Sequence, residues 1–296
     1  VGMDTVMLIV NPSSGKELGE QHATHAEEVL RERYGHVDVR FTEKEQDATN
    51  FAREAAEKHY QAVIAMGGDG TLNEAVTGLA EATHRPDFGI IPLGTVNDLA
   101  RALGVPSDPK QAIEALRDAE PTPMDIGKYE NGYFMNVIAI GLIAEAVDEV
   151  SVEEKTKWGP FAYLIEGVKA FREHSPYELA LDSTDGQFNG KAYLVVIALT
   201  NSVGGFENFE PDARLNDGLL HVYIFEELGL KDALQLTPAL FTGKLKETDS
   251  VTSFCTSRVN VTSPDALPVN ADGDTGGKLP LTFEVLPSHL NVLKPV

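Results

Sequence analysis

A strand-to-helix transition around three glycines, at residues 62–79, most constrains how this chain folds. Its first five residues, Ala62 to Met66, are apolar and have the length of a buried strand. After the turn Gly67-Gly68-Asp69-Gly70-Thr71, apolar residues recur at helical spacing. Because glycine has no Cβ and tolerates positive φ, this turn predicts that backbone N–H groups approach a ligand such as a phosphate.

A simpler interpretation of the same turn stays open. Asp69 or Thr71 would cap the helix, and the glycines would serve geometry alone. Two common phosphate signatures are absent. Gly15-Lys16 is followed by glutamate and not by the Ser or Thr of a P-loop, and Asn73 stands where the dinucleotide fingerprint requires its third glycine.

Charge and composition exclude several classes of function. With 24 basic against 46 acidic side chains among 296 residues, the net charge is −22, which opposes nucleic-acid binding and general adhesion to anionic lipid. The single cysteine, Cys255, excludes a disulfide within the chain and fits a reducing compartment. No apolar run approaches the roughly 18 residues of a membrane span, and residues 3–10 read as a first core strand, not a signal peptide.

The order of predicted elements indicates two domains. Four alternations of strand and helix fill the first 120 or so residues, which is typical of an open parallel sheet. After Pro121 the chain changes to short apolar runs separated by turn signals such as Asn189-Gly190, which indicates antiparallel β structure. We therefore predict domains at residues 1–125 and 126–296, with the last strand a candidate to return to the first domain.

Polar loops follow three further strands of the predicted sheet. They are residues 11–16, Thr42 with its neighbour Glu43, and residues 93–98. In a parallel sheet the loops at the carboxyl ends of the strands line the ligand crevice, so these loops are expected beside the glycine turn. Helix capping by a serine of the first loop or by Thr95 or Asn97 of the last stays open as the ordinary alternative.

Five segments in order resemble motifs of the diacylglycerol kinase catalytic family, which includes soluble bacterial lipid kinases and the sphingosine and ceramide kinases. The segments are NPSSGK at 11–16, GGDGTLNE at 67–74, PLGTVNDLAR at 92–101, PDARLNDG at 211–218 and ADGD at 271–274. The resemblance spans nearly the whole chain. It implies an α/β domain with a parallel sheet, similar to phosphofructokinases and NAD kinases, then a C-terminal antiparallel β-sandwich, with the active site between them.

The resemblance also implies an ATP site in the first domain. Lys16 would supply a cation near the phosphates, and Asp69 would organise the Mg²⁺ that accompanies ATP. The residues expected around the nucleotide are Asn11, Pro12, Ser13, Ser14, Gly15, Thr42, Gly67, Gly68, Asp69, Gly70, Thr71, Leu72, Asn73 and Thr95.

A carboxylate near the lipid hydroxyl is expected to accept its proton, since the hydroxyl must lose it during attack on phosphorus. The family pattern at this point is Asp-Gly-Glu, whereas this chain has Asp272-Gly273-Asp274. We assign the base to Asp272, with Asp274 as the rival and Asp125 as a partner in the same network. The alternative is that all three are turn or cap carboxylates.

A second Mg²⁺ site is implied by the segment at 214–219. By resemblance its ligands would be the side chain of Asp217 and the backbone carbonyls of Arg214 and Leu219, a small protein ligand set that suits Mg²⁺. Without the resemblance, Asp217-Gly218 is an ordinary β-turn.

The expected function is an ATP- and Mg²⁺-dependent kinase that converts diacylglycerol to phosphatidic acid, cytoplasmic and peripheral at the inner membrane face. The alternatives are another lipid alcohol, such as undecaprenol or a sphingoid base, and a nucleotide-binding regulator without catalysis. Gln21 and Glu166 stand where related bacterial kinases carry basic residues, and Lys155 or Lys157 are candidates to replace them. A lipid substrate is the expected partner, nucleic acid is not, and a homodimer is one alternative for assembly.

Overall fold

The structure is a computed structural model that describes residues 4–14, 19–141, 175–204, 208–226, 239 and 242–296. The chain divides into two compact units, the first made of Val1–Met124 with Ser288–Val296 and the second of Asp125–Pro287. Five residues discussed above lie outside the described part: Gly15, Lys16, Lys155, Lys157 and Glu166.

Strands and helices alternate regularly in the first unit. They are β1 (Thr5–Val10), α1 (Gly19–Tyr34), β2 (His36–Phe41), α2 (Asp47–Glu57), β3 (Ala62–Gly67), α3 (Asp69–Ala80), β4 (Asp87–Pro92), α4 (Asp98–Leu103) and α5 (Pro109–Ala115). α5 begins as its sequence predicts, because Asp108 accepts a hydrogen bond from Gln111 N–H and Pro109 occupies the first turn.

Strands predominate in the rest of the chain. They are β5 (Glu120–Tyr129), β6 (Gly132–Phe134), β7 (Val137–Gly141), β8 (Tyr177–Asp182), β9 (Gln187–Ala198), β10 (Leu220–Glu226), β11 (Val251–Thr256), β12 (Arg258–Thr262), β13 (Pro268–Ala271), β14 (Asp274–Lys278) and β15 (Leu281–Lys294), with a 3₁₀ turn at Leu245–Glu247. β15 begins in the second unit and ends in the first.

The first unit is a parallel sheet between two layers of helices. β1 pairs with β2 and β3, β3 pairs with β4, and Val292 of β15 lies opposite Phe88 of β4, all in parallel. Leu8 and Val10 pack in one core with Leu30 of α1. Met7 and Ile9, which alternate with these residues in β1, are also fully buried. α2 and α3 contact each other, α2 also contacts β1 and β3, and α3 also contacts β3 and β4. The predicted parallel α/β domain is confirmed.

The second unit is built from antiparallel strands, with the long strand β9 paired to β7, β8 and β10. β9 buries both of its faces. Val195 and Ile197 belong to one core, while Leu194 and Val196 belong to another with residues of β10. Two cores on opposite faces of one strand indicate a layered β domain. Nowhere in the described part of the chain does a helix combine the length and apolar character needed to cross a bilayer.

A buried ionic network lies in the second of these cores. Glu210, which is completely buried, accepts hydrogen bonds from the hydroxyl of Tyr223 and from Lys246 Nζ at 2.9 Å. His221 Nδ1 lies 3.4 Å from the same carboxylate. Burial opposes ionisation of Glu210, but hydrogen bonds from His221, Tyr223 and Lys246 outweigh it and lower the pKa to about 2. Glu210 is therefore a charged group inside the domain.

Substituting Gly78 will test the contact between α2 and α3. A Cβ on Gly78 would lie 2.3 Å from Thr49 O and 3.0 Å from Ala52 Cβ, so Gly78→Ala forces the helices apart. Elsewhere in a helix the same change is favourable by about 1 kcal/mol. Here we expect urea unfolding to show a loss of about 1–3 kcal/mol, as for overpacked cores. Thr77→Ala is the control, and an unchanged midpoint for Gly78→Ala would contradict the contact.

Removing the charge of Glu210 will test the buried network. Because its pKa is lowered on folding, the stability it contributes is present above about pH 4.5 and is lost as the pH falls toward 2. We expect Glu210→Gln to lose about 3 kcal/mol at pH 7, since Lys246 and His221 are left without their shared anion. Unfolding midpoints measured from pH 7 to 2.5 should fall less steeply in the variant than in wild type. Parallel slopes would contradict the charged state of Glu210.

Candidate functional site

Parallel pairing brings four loops of the first unit, those after β1, β2, β3 and β4, to one edge of the sheet. Val10, the last residue of β1, lies opposite Phe41 of β2 and Met66 of β3, and Gly67 lies opposite Pro92 of β4. The loops that follow are joined at their first residues. Asn11 N–H donates to Met66 O at 2.9 Å, and the next loop continues the same pattern, with Leu93 N–H donating to Gly67 O at 2.8 Å. The crevice edge predicted from the strand order is therefore formed.

Asn11 ties the first loop to the start of α3. Its Nδ2 donates to Thr71 Oγ1 at 2.9 Å, while its Oδ1 accepts hydrogen bonds from Ser13 N–H at 3.1 Å and Ser13 Oγ at 2.8 Å. Asn11 thus contacts two other residues expected around the nucleotide, Ser13 and Thr71. Thr42 follows the neighbouring strand, and its N–H donates to Val10 O at 2.9 Å.

The glycines serve close packing of two loops and not a left-handed backbone. Gly68 is extended, with φ −86° and ψ −179°, and none of the three turn glycines has a positive φ. A Cβ on Gly67 would lie 2.6 Å from the side chain of Thr71, and one on Gly94 would lie 3.0 Å from Gly68 Cα. The backbones of two loops therefore approach each other closely, and the approach of a phosphate to this turn stays a prediction.

Asp69 does not cap its own helix. The N-cap of α3 is Gly68, which has no side chain to offer, and Asp69 Oδ2 accepts the N–H of Asn97 from the loop after β4, at 3.0 Å. Asn97 has φ +54°, and its Nδ2 donates to Gly94 O at 2.8 Å. Its Oδ1 is buried and has no hydrogen-bond partner among the described residues. Asp69 and Asn97 therefore join the loop after β3 to the loop after β4.

The other predicted nucleotide residues occupy the same loops with different exposure. Leu72 is completely buried, so only its backbone is available to a ligand. Ser13, Gly70 and Thr95 are exposed. The half-buried residues are Asn11, Pro12, Ser14, Thr42, Gly68, Asp69 and Asn73.

In the second unit, Asp272 occupies the tight turn between β13 and β14. Asp272 and Gly273 have φ of +51° and +94°, as a two-residue hairpin of this hand requires. The Asp272 carboxylate accepts three successive backbone N–H groups, from Met135 at 2.6 Å and from Asn136 and Val137 at 2.9 Å each. Asp272 is thus fixed by backbone, while Asp274 in β14 is exposed.

Asp125 is joined to the segment that carries Asp217. Asp125 is 3% exposed, its Oδ2 accepts Gly218 N–H at 2.6 Å, and its own N–H donates to Leu215 O at 2.7 Å. The carboxylate of Asp217 accepts the N–H groups of Arg214 at 3.0 Å and Leu219 at 2.9 Å. The expected turn at 214–219 is present, and the structure associates Asp125 with it.

No prediction from the sequence included His221, which lies against Asp217. Its Nε2 is 3.0 Å from Asp217 Oδ2, and Cys255 Sγ is 3.4 Å from its Nδ1. Burial lowers the pKa of His221, but hydrogen bonds to Asp217, Cys255 and Glu210 raise it to about 11, so the ring is a cation. Leu220 to Ile224 alternates apolar residues with His221 and Tyr223, a pattern typical of a strand with one solvated face, so no sequence signal indicated that His221 is buried.

Comparison with known proteins accounts for both units. The diacylglycerol kinase catalytic domain family matches residues 5–129, and the YegS C-terminal NAD kinase beta sandwich-like domain family matches residues 136–294. The second match confirms the predicted β-sandwich. Diacylglycerol kinases of Staphylococcus epidermidis and Staphylococcus aureus are each 38% identical to this chain over 288 residues, which are 97% of the chain and 91% of each relative.

Solved structures agree along the whole chain. A putative diacylglycerol kinase from Bacillus anthracis superposes with a TM-score of 0.87 at 24% identity, covering 99% of this chain and 95% of that one. A second structure from the same organism gives a TM-score of 0.86 at 25% identity, covering 99% and 98%. With 38% identity to curated relatives over nearly its whole length, the chain belongs to the diacylglycerol kinase catalytic family of lipid kinases.

Proposed function

We propose that this protein transfers the γ-phosphoryl group of ATP to the hydroxyl of diacylglycerol, giving phosphatidic acid and ADP. The observation that carries the proposal is the start of α3, where a glycine N-cap leaves the helix without a side-chain cap and Asn97 holds Asp69 in place. Relatives that are 38% identical over 97% of the chain are named diacylglycerol kinases, which supports the same activity here.

The loops of the first unit fit a nucleotide triphosphate. A helix start without a side-chain cap presents N–H groups and a positive dipole end to an anion. Asn97 Oδ1 is a buried acceptor that a ligand or a metal-bound water would satisfy. Asn11, Thr42, Thr95 and the glycine turn would therefore hold the nucleotide, and Asp69 its Mg²⁺. When bound, ATP supplies the phosphoryl group and Mg²⁺ spreads the charge that develops on it.

Asp272 is the proposed general base. Two backbone N–H groups hold Oδ1 and one holds Oδ2, which orients the carboxylate that would receive the proton of the lipid hydroxyl. As that proton moves to the carboxylate, the hydroxyl oxygen attacks phosphorus and ADP leaves. Asp274 is the rival, because it is exposed and lies in the same hairpin.

A second Mg²⁺ on the segment at 214–219 belongs to the proposal as a structural ion. Two backbone N–H groups and His221 take three positions of the Asp217 carboxylate, which leaves one for a cation beside the carbonyls of Arg214 and Leu219. The ion would order this turn, and we give it no part in phosphoryl transfer.

The substrate places the reaction at a membrane surface, which we propose is the cytoplasmic face. A net charge of −22 repels anionic lipid at long range, so contact with the bilayer must be local. Higher ionic strength screens this repulsion. We therefore expect the protein to act best on diacylglycerol in surfaces of low negative charge.

The first test is transfer of labelled γ-phosphate from ATP to diacylglycerol in mixed micelles with Mg²⁺. Asp272→Asn keeps a residue that tolerates the left-handed turn and an acceptor oxygen, but it cannot take up a proton. We expect it to lose at least about 100-fold in kcat, the scale of a missing general base. Asp274→Asn should lose less. Asp265→Asn, at an exposed turn of the same unit, is the control and should keep wild-type kcat.

The outcomes separate the alternatives. Full activity in Asp272→Asn together with loss in Asp274→Asn would move the base to Asp274. If the wild type is inactive on diacylglycerol, the next substrates to assay are other lipid alcohols, including undecaprenol and a sphingoid base. Binding of ATP with no product on any lipid would overturn the kinase in favour of a nucleotide-binding regulator.

Thermal unfolding without nucleotide will test the structural ion. A ligand that binds only the folded state stabilises it by RT ln(1 + [L]/Kd) and so raises the midpoint. We expect millimolar Mg²⁺ to raise the midpoint of wild type by a few degrees and that of Asp217→Asn by less. Equal shifts in both proteins would place the ion elsewhere.

A further inference from the structure

Three consecutive backbone N–H groups converge on Asp272, and the middle one belongs to Asn136. The N–H groups of Met135, Asn136 and Val137 all reach its carboxylate within 2.9 Å, and Asp272 N–H returns a hydrogen bond to Val137 O at 2.9 Å. A concave run of successive N–H groups is an anion-binding arrangement, and here a side chain of the same chain occupies it. The position of Asp272 therefore depends on the conformation of residues 135–137.

The end of β9 holds Asn136 from the other side. Leu199 N–H donates to Asn136 O at 2.8 Å, and the hydroxyl of Thr200 lies 3.3 Å from Asn136 Oδ1 and 3.0 Å from Ser202 O. Asn136 and Thr200 are 2% and 3% exposed. Buried polar groups are costly unless they are hydrogen-bonded. Asn136 is therefore held at its backbone by Leu199 and at its side-chain amide by Thr200.

We infer that Asn136 and Thr200 are positioning residues for the Asp272 hairpin. They align the N–H groups that hold the Asp272 carboxylate. Asp274 lies in β14 directly after the turn, so the same alignment positions whichever of Asp272 and Asp274 takes the proton. The catalytic part of this inference depends on the proposed function. The anchoring part depends on the contacts alone.

Thr256 offers a matched control for Thr200. Both are buried threonines of the second unit, and each hydroxyl contacts one side-chain oxygen and one backbone carbonyl. For Thr256 these are Asp185 Oδ2 at 2.8 Å and Arg258 O at 3.1 Å, and its Oγ1 also accepts Arg258 N–H at 3.4 Å. Thr200→Val and Thr256→Val each remove a buried hydroxyl and its hydrogen bonds, but only Thr200→Val does so beside Asn136.

Two measurements on these variants test the inference. Hydrogen exchange of the amides of residues 135–137 should speed up about tenfold in Thr200→Val and stay unchanged in Thr256→Val, since only the first frees the segment locally. In the kinase assay, kcat of Thr200→Val should fall about tenfold with KM for ATP unchanged, the pattern of a misplaced group. Thr200→Ser keeps the hydroxyl and should restore both values.

The results distinguish failure of the inference from failure of the function. An inactive wild type would remove the proposed function and the catalytic part, while exchange at residues 135–137 would still decide the anchoring. Unchanged exchange in Thr200→Val would overturn the anchoring. Faster exchange with unchanged kcat would overturn the positioning role, and equal kcat losses in Thr200→Val and Thr256→Val would reduce it to a general loss of stability.

Discussion

Parallel pairing of β1, β3 and β4 is the constraint on which the candidate nucleotide site depends. Parallel strands end at one edge, so loops separated by dozens of residues begin side by side. Asn11 and Met66 meet in this way, as do Leu93 and Gly67. Glycine then lets two of these loops touch, because a Cβ on Gly94 would lie 3.0 Å from Gly68 Cα. Strand order and loop packing together fix the backbone before any ligand binds.

Backbone N–H groups of the loops are satisfied largely by aspartates. Asp69 accepts from Asn97, Asp125 from Gly218, and Asp272 from three residues in a row. A carboxylate that accepts backbone N–H groups gains the stronger, charge-assisted kind of hydrogen bond. The structural and the functional interpretations of these aspartates are therefore compatible: the bonds that make a loop rigid also preorganise a carboxylate for its proposed role.

The ionic network around Glu210 shows a different use of charge. Glu210 and Asp217 are bridged by His221, whose pKa near 11 keeps it positive, and Lys246 supplies a second cation. Buried ions such as Glu210 and His221 stabilise only when paired, because a partner left alone retains its desolvation cost. The network connects β10 to the turn at 214–219, so the order of that turn depends on groups inside the core.

Local patterns in the sequence predicted much of the fold and part of the site. Apolar runs and turn signals predicted the four strands of the first unit and the antiparallel strands of the second, since these periodicities act over a few residues. Motif order identified the family, and strand order predicted that the loops at Asn11, Gly67 and Leu93 would share an edge. The roles assigned to individual site residues remain predictions.

Contacts between distant segments were decided by tertiary structure alone. The sequence around Asp69 does not indicate its contact with Asn97, which lies 28 positions away. The sequence around Asp272 likewise does not indicate residues 135–137 as its donors, because they lie more than 130 positions away. His221 and Glu210 likewise appeared as ordinary polar residues until the fold buried them together. The sequence by itself determined strands, turns and family through short-range preferences. Only tertiary structure decided which donor meets which carboxylate, since that depends on three-dimensional proximity and burial.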